Sequence, residues 1–432
     1  MRNNIIHAGA DELTYEIREI VEFGEKLRAM GVPIVWENIG DPVAKGHLVP
    51  EWIKDAVRET VADDKSFGYS PTKGVLEARE FISKMRNGTG AVPIASDDIL
   101  FFNGLGDAIS IIYTYLNRGA RVIGPNPAYP THSSAEAAHA GLHHLSYNLN
   151  PHRNWLPDLD DLRNKVKYNP SISGILIINP DNPTGMVYPK KVLEEIIAIA
   201  NEYDLFLISD EIYANIVYGD APMVSLYEVA GNVPTIVMRG LSKEIPWPGS
   251  RCGWIEVYNR ERDPVFARYV KTLVDAKMLE VCSTTLPQRV LPKIFSDTRY
   301  HDHLRNQSLQ YKHRADAAYA ILRDMPGVLA PKPAGAFYYS VVFDDCILSN
   351  RQTLAIADKK IALFIEGAVA GLPLDKRFVY YLMASSGICV VPLSGFNSEL
   401  AGFRFTLLEP DGAIFEHTVR TLMEKIKEYL HS

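Results

Sequence analysis

GILIINPDNPTG, residues 174–185, decides how the rest of the chain reads. Its opening run is apolar at successive positions, without alternation. That is the pattern of a strand covered on both faces of a parallel sheet. The run then stops at a polar turn holding Asp181, Asn182 and Thr184. Four more stretches carry the same signature: ILFFN (99–103), RVIGP (121–125), LFLIS (205–209) and TIVMR (235–239). Between them lie helix-like segments such as KKVLEEIIAIANEY (190–203). Strand, helix, strand order predicts an α/β fold with a large, doubly wound, mostly parallel sheet, which we bound at residues 50–295.

Outside that range the character changes. From residue 296 a long polar helix (about 301–324) precedes the strands AFYYSVVF, GICVVP and GFRFTLL and a final helix, about 413–430. This predicts a smaller α+β domain over 296–432. The N-terminal segment, 1–49, reads as a helix over about 11–30, ended by Gly31 and Pro33, then the extended arm VPIVWENIGDP. It is expected to join the small domain.

Bulk properties exclude several classes. The chain has 432 residues, enough for two or three domains, and is 47% hydrophobic and 22% charged. Its 45 basic and 52 acidic residues give a net charge of -7. No basic tract offers a footprint for nucleic acid. Cys252, Cys282, Cys346 and Cys389 are scattered without a C-x-x-C pair, which predicts reduced thiols and no metal site. No apolar run approaches the roughly 18–20 residues that span a bilayer. The start, MRNNIIHAGADELTYEIRE, lacks the apolar centre of a signal peptide. A cytoplasmic protein with no membrane partner is expected.

Three of the strands run into chemistry. GILIINP leads to Asp181 and Asn182, LFLIS to Asp210, Glu211 and Tyr213, and TIVMR to Ser242 and Lys243. Ligands of open α/β sheets bind beyond the carboxyl ends of strands. Parallel neighbours would therefore gather an amide, a carboxylate, a phenol and an amine in one crevice. A lysine amine condenses with an aldehyde. An aspartate beside a pyridine nitrogen favours the protonated ring. A phenol and an amide can hydrogen-bond a ring oxygen. Taken singly, each residue has an ordinary reading as a cap, a turn or a solvated charge; the ordered set carries the inference.

In NPDNPTG (179–185), SDEIY (209–213) and LSKEIPWPGSRCGW (241–254) the chain resembles the fold-type-I aminotransferases of class I/II, which depend on pyridoxal 5'-phosphate. The resemblance covers nearly the whole chain. It implies that Lys243 forms the Schiff base and shuttles the proton. It implies that Asp210 pairs with the pyridinium nitrogen and that Asn182 and Tyr213 hydrogen-bond the ring oxygen. Arg251, with its planar donor fork, is implied to bind the phosphate. The turn GLGDAIS (104–110) lacks the third glycine of a dinucleotide fingerprint. The resemblance makes Gly104, Leu105, Gly106 and Asp107 phosphate contacts at a helix start. It makes Tyr129 a stacking partner of the ring. Tyr69 is implied to reach the phosphate of a neighbouring subunit, hence a homodimer. Arg404 and Gly40, with Asn182, are implied to bind the substrate, Arg404 through its carboxylate. KPAGAFYYSVVF (332–343) is expected to be architectural.

Two departures stand out. Many relatives carry a phosphate-binding hydroxyl three positions before the lysine; this chain has Gly240 there, leaving Ser242 as the candidate contact. A proline–glycine block near residue 392 reads PLSGF. No second arginine for a dicarboxylate side chain stands out. His139, His143 and His144 form a small cluster, the first two on one face if helical, without a further ligand for a metal.

The expected reaction is a ping-pong transfer of an amino group between an amino acid and a 2-oxo acid, with alanine, glutamate or another neutral amino acid as substrate. The same lysine and aspartate also suit β- or γ-elimination, so a lyase or synthase stays open. A non-enzymatic binding or regulatory protein of the same fold is a remoter reading, because such regulators carry an added DNA-binding domain.

Overall fold

The computed structural model describes residues 4–13, 16–88 and 92–432. Eight strands form one sheet, ordered 99–103, 252–258, 235–240, 206–210, 172–178, 121–126, 146–150 and 156–157. The run from Thr235–Gly240 through Phe206–Asp210, Ile172–Ile178 and Arg121–Asn126 to Ser146–Asn150 is parallel throughout. Cys252–Tyr258 lies antiparallel to both of its neighbours. This strand was not expected. Glu256 interrupts its apolar pattern, yet Glu256 is fully buried and held by the Arg86 guanidinium at 2.8 and 2.9 Å.

The absence of alternation has a packing cause. Ile99 and Phe101 face one hydrophobic layer with Trp254 and Leu291, while Leu100 and Phe102 face another with Ile109, Ile236 and Phe266. Helices cover both faces, so positions 99–102 are all apolar and buried. Strand edges match the expectations to within two residues at each end, and the 190–203 helix runs Lys190–Glu202.

A second, antiparallel sheet is ordered Val328–Leu329, Tyr338–Phe343, Gly402–Thr406 and Val391–Pro392. GICVVP, expected as one strand, is two. Ile388–Cys389 pairs in parallel with Val35–Trp36 of the N-terminal arm, and Val391–Pro392 pairs with Gly402–Thr406. The chain changes partner at Val390. The N-terminal helix is shorter than expected, Glu16–Ala29, preceded by a tight turn at Ala10–Glu12; residues 14 and 15 lie outside the described residues. The long helix Tyr300–Leu322 packs against the last helix, Gly412–Leu430. Among the described residues no helix is long and apolar enough to cross a membrane.

The histidine expectation fails in part. The helix Pro130–Ala140 ends at Gly141 in the left-handed conformation, so His143 lies beyond it and shares no helical face with His139. His139 Nε2 instead meets the carbonyls of Asn117 and Ala120 at 3.0 and 3.2 Å.

Candidate active site

Three parallel strands end level: Ile178 pairs with Asp210, and Asp210 with Met238. Asp210 closes its strand, and the turns that follow carry Asn182, Tyr213 and Lys243 at the same carboxyl end of the sheet. The first turn is held by Asp181, whose Oδ2 accepts from the Thr184 amide at 3.1 Å and hydroxyl at 2.5 Å. That local bonding explains the DNPTG composition.

The Lys243 ammonium donates to the Gly40 carbonyl at 2.7 Å and lies 5.7 and 5.9 Å from the ring centres of Phe337 and Tyr213. Loss of water around the amine pulls its pKa down to about 8; Asp41 and Asp210 oppose this shift, and Arg404 and Arg251 add to it. Asp210 is buried. Its Oδ1 accepts from the Ile212 amide at 3.1 Å and its Oδ2 faces His132 Nε2 at 3.1 Å. With the carboxylate ionised, Nε2 carries the hydrogen. His132, on the first turn of Pro130–Ala140, was missed in the sequence. The available signal was its spacing, one turn past Tyr129 at the start of that helix.

Tyr213 is buried, which raises its pKa well above the ordinary phenol value and keeps it a donor; its hydroxyl is 2.9 Å from that of Tyr338. Asn182 Oδ1 accepts from Arg404 Nη1 at 3.2 Å, and Arg404 Nη2 donates to the Asn38 carbonyl at 2.6 Å. Arg404 is 1% exposed and lies between the rings of Tyr338 (4.3 Å) and Phe396 (5.1 Å). Hydrogen bonds and aromatic faces let a charged plane sit in an apolar interior. PLSGF forms the tight turn Leu393–Phe396 that supplies one of those rings.

At the sheet edge, Gly104 precedes the helix Leu105–Thr114; its amide donates to the Phe102 carbonyl at 2.9 Å and the Asp107 amide to the Gly104 carbonyl at 3.2 Å, which leaves the Leu105 and Gly106 amides at the open start of the helix. The Arg251 guanidinium lies over Gly104; a β-carbon there would stand 2.4 Å from Nη2. A β-carbon on Gly106 would meet nothing within 4 Å. The Asp107 carboxylate turns away, accepting from the Asn103 amide at 2.9 Å and from the buried Lys277 at 2.8 Å. The Asp107 backbone amide, donating to the Gly104 carbonyl, closes the turn. Gly240 is explained by space, because a β-carbon would approach the Cys252 carbonyl to 2.8 Å. Ser242, part-buried, follows two residues later. Tyr129 is half-buried beside His132. Tyr69 is 87% exposed and does not pack into the site of its own chain.

The donor set therefore has a guanidinium over a glycine turn at a helix start, a carboxylate held by His132 and the Ile212 amide, a phenol, an amide and an amine. These residues fit a phosphorylated pyridine aldehyde. Residues 35–413 match the family described as aminotransferase class I and II. The chain belongs to that family. The aminotransferase is 54% identical over 430 residues to an uncharacterized aminotransferase of Methanocaldococcus jannaschii, covering 100% of both. It is 30% identical over 400 residues to the glutamate-pyruvate aminotransferase of Escherichia coli, covering 91% of this chain and 97% of the relative. Among solved structures it resembles an alanine aminotransferase from Pyrococcus furiosus, with TM-score 0.84, 28% identity and coverage of 97% and 99%. The enzyme is thus a fold-type-I, pyridoxal 5'-phosphate-dependent transferase acting on amino acids and 2-oxo acids. Its relatives favour transamination over elimination.

Proposed function

We propose that this aminotransferase exchanges amino groups between alanine and glutamate, or a similar neutral donor, and their 2-oxo acids, with Lys243 as the catalytic amine. The observation that carries the site assignment is the convergence of Lys243, Asp210, Tyr213 and Asn182 on level strand ends, with Arg404 bonded to Asn182. The glutamate-pyruvate and alanine aminotransferases among the relatives support the substrate pair.

Pyridoxal 5'-phosphate, when bound, supplies an aldehyde for amines and an electron sink for the substrate α-carbon. Asp210, held by His132 and the Ile212 amide, stabilises a protonated ring nitrogen. Tyr213 and Asn182 offer hydrogens to the ring oxygen. The turn of Gly104, Leu105, Gly106 and Asp107, with the Leu105 and Gly106 amides facing out of it, would hold the phosphate together with Ser242 and Arg251. Tyr129 stacks on the ring. Arg404 grips the α-carboxylate with its two-pronged donor face, and Gly40 lets the backbone approach the substrate. Lys243, near neutrality in its ionisation, takes and returns the α-proton. Phe337 and Tyr213 flank that amine and reduce its contact with water.

We read the enzyme as a cytoplasmic homodimer in which Tyr69 reaches the neighbouring phosphate; its exposure, on a segment tied to residues 281–285, supports this. The division at 49/50 and 295/296 is supported by the pairing of Val35–Trp36 with Ile388–Cys389 and by packing of Glu51–Val61 on Thr285–Ser296. The test is an amino-donor panel against pyruvate and 2-oxoglutarate. Lys243→Ala should lose turnover and the visible cofactor band, and Arg404→Ala should mainly weaken amino-acid binding. Full activity in Lys243→Ala, or a preference for donors other than neutral amino acids and glutamate, would overturn the proposal.

A further inference from the structure

Tyr338 belongs to a stretch that the sequence marks only as architectural. In the structure its buried phenol touches three parts of the site. Its hydroxyl is 2.9 Å from that of Tyr213. Its ring centre is 4.3 Å from the Arg404 guanidinium carbon. Its oxygen stands 2.3 Å from where a β-carbon on residue 40 would lie, so it presses on the segment whose carbonyl holds Lys243. The placement follows from register. Tyr338 pairs with Thr406 and Ser340 with Arg404 in the antiparallel ladder, which puts Tyr338 and Arg404 on one face as diagonal neighbours.

Two hydroxyls at that distance share one hydrogen. If Tyr213 directs its own hydrogen to the ring oxygen of the cofactor, the shared hydrogen must come from Tyr338. We propose that Tyr338 is a positioning residue: its hydroxyl donates to Tyr213 and so fixes the Tyr213 hydrogen toward the cofactor, while its ring fixes the plane of Arg404. This rests on the assignment of Lys243, Asp210 and Tyr213 to the pyridoxal phosphate ring. A phenol that accepts one hydrogen bond becomes a better donor of the next. A stronger donor draws charge from the ring oxygen and weakens its hold on the proton it shares with the Lys243 nitrogen. Losing the Tyr338 hydroxyl should therefore make that proton harder to remove.

The experiment compares Tyr338→Phe and Tyr338→Leu with the wild-type holoenzyme by pH titration of the visible cofactor band and by steady-state kinetics. In Tyr338→Phe the band midpoint should rise by about half a pH unit, the size of one neutral hydrogen bond. Its KM for the amino donor should stay within about twofold, because the ring under Arg404 is kept. In Tyr338→Leu the midpoint should rise equally and KM should rise roughly fivefold or more as the aromatic face is lost. An unshifted midpoint in Tyr338→Phe overturns the hydroxyl role. Equal KM values in the two variants overturn the ring role. A wild-type holoenzyme without a titrating visible band overturns the site assignment itself, and this inference with it.

Discussion

A β-carbon on residue 104 has two separable costs. The Gly104 backbone runs at φ 83° and ψ 165°, a region essentially confined to glycine, and forcing an alanine into it costs about 1–3 kcal/mol. The same β-carbon would lie 2.4 Å from Arg251 Nη2 and 2.8 Å from Cζ, so the guanidinium must leave. Removing its charge-assisted contact with a phosphate costs about 1.5–3 kcal/mol, or roughly 10- to 150-fold in affinity. Gly104→Ala should therefore lower both the urea midpoint of the apo-protein and its affinity for pyridoxal 5'-phosphate, read by absorbance titration. Arg251→Ala should lower the affinity by a similar factor but barely change the urea midpoint, since among the described residues that side chain donates to the Pro248 and Asn103 carbonyls at long distances of 3.2 and 3.3 Å. The double variant should bind about as weakly as Arg251→Ala alone, because the steric conflict disappears with the guanidinium. Cofactor affinity within about threefold of wild type in Gly104→Ala, or fully additive losses in the double variant, would refute the reasoning.

Other outcomes follow from the same geometry. Because Lys243 titrates near 8 rather than 10.5, capture of pyridoxal phosphate by the apo-protein should speed up with pH to about 8 and then level off; a rate still climbing at pH 10 contradicts this. His132→Phe removes the donor on Asp210 Oδ2 and should lower kcat by roughly 10- to 100-fold with little change in amino-donor KM; the reverse split would be inconsistent with a role on the cofactor side. Burial alone would raise the Glu256 carboxyl, but Arg86 overrides it and holds the pKa at about 2 against an ordinary 4.5. The ion pair should therefore stabilise the fold fully above about pH 4.5 and fade as pH falls toward 2. Glu256→Gln should cost about 3–5 kcal/mol at neutral pH by leaving Arg86 unpaired and should lose that part of the acid sensitivity, as urea denaturation across pH would show.

The parallel strands were legible because burial on both faces leaves an unbroken apolar run, and Asn182, Asp210 and Lys243 were legible because each follows such a run closely. What the sequence hid has one common cause: polar residues whose meaning depends on a distant partner. Glu256 masks the Cys252–Tyr258 strand, because its carboxylate needs Arg86, 170 positions away, to be tolerable in a core. His132 looks like an unremarkable helix residue until Asp210 is placed beside it. Tyr338 reads as a strand aromatic until the ladder sets it under Arg404. The break of GICVVP into two strands depends on where the N-terminal arm lies. Gly240 reads as a departure from a pattern, and only the nearness of Cys252 shows why a side chain has no room there.

The carbonyl of Gly40 gives the reactive lysine a berth. An enzyme that works in two stages must let its lysine go each time an incoming amine takes its place, and a loose ammonium on four methylenes would wander through many rotamers before returning. The berth is carried by the arm rather than by the sheet that carries the lysine, and the arm is stitched to residues 388–389 and 404–406. A shift of that arm by an ångström would be felt at the amine at once, which ties the timing of the lysine's return to the posture of the chain's first fifty residues.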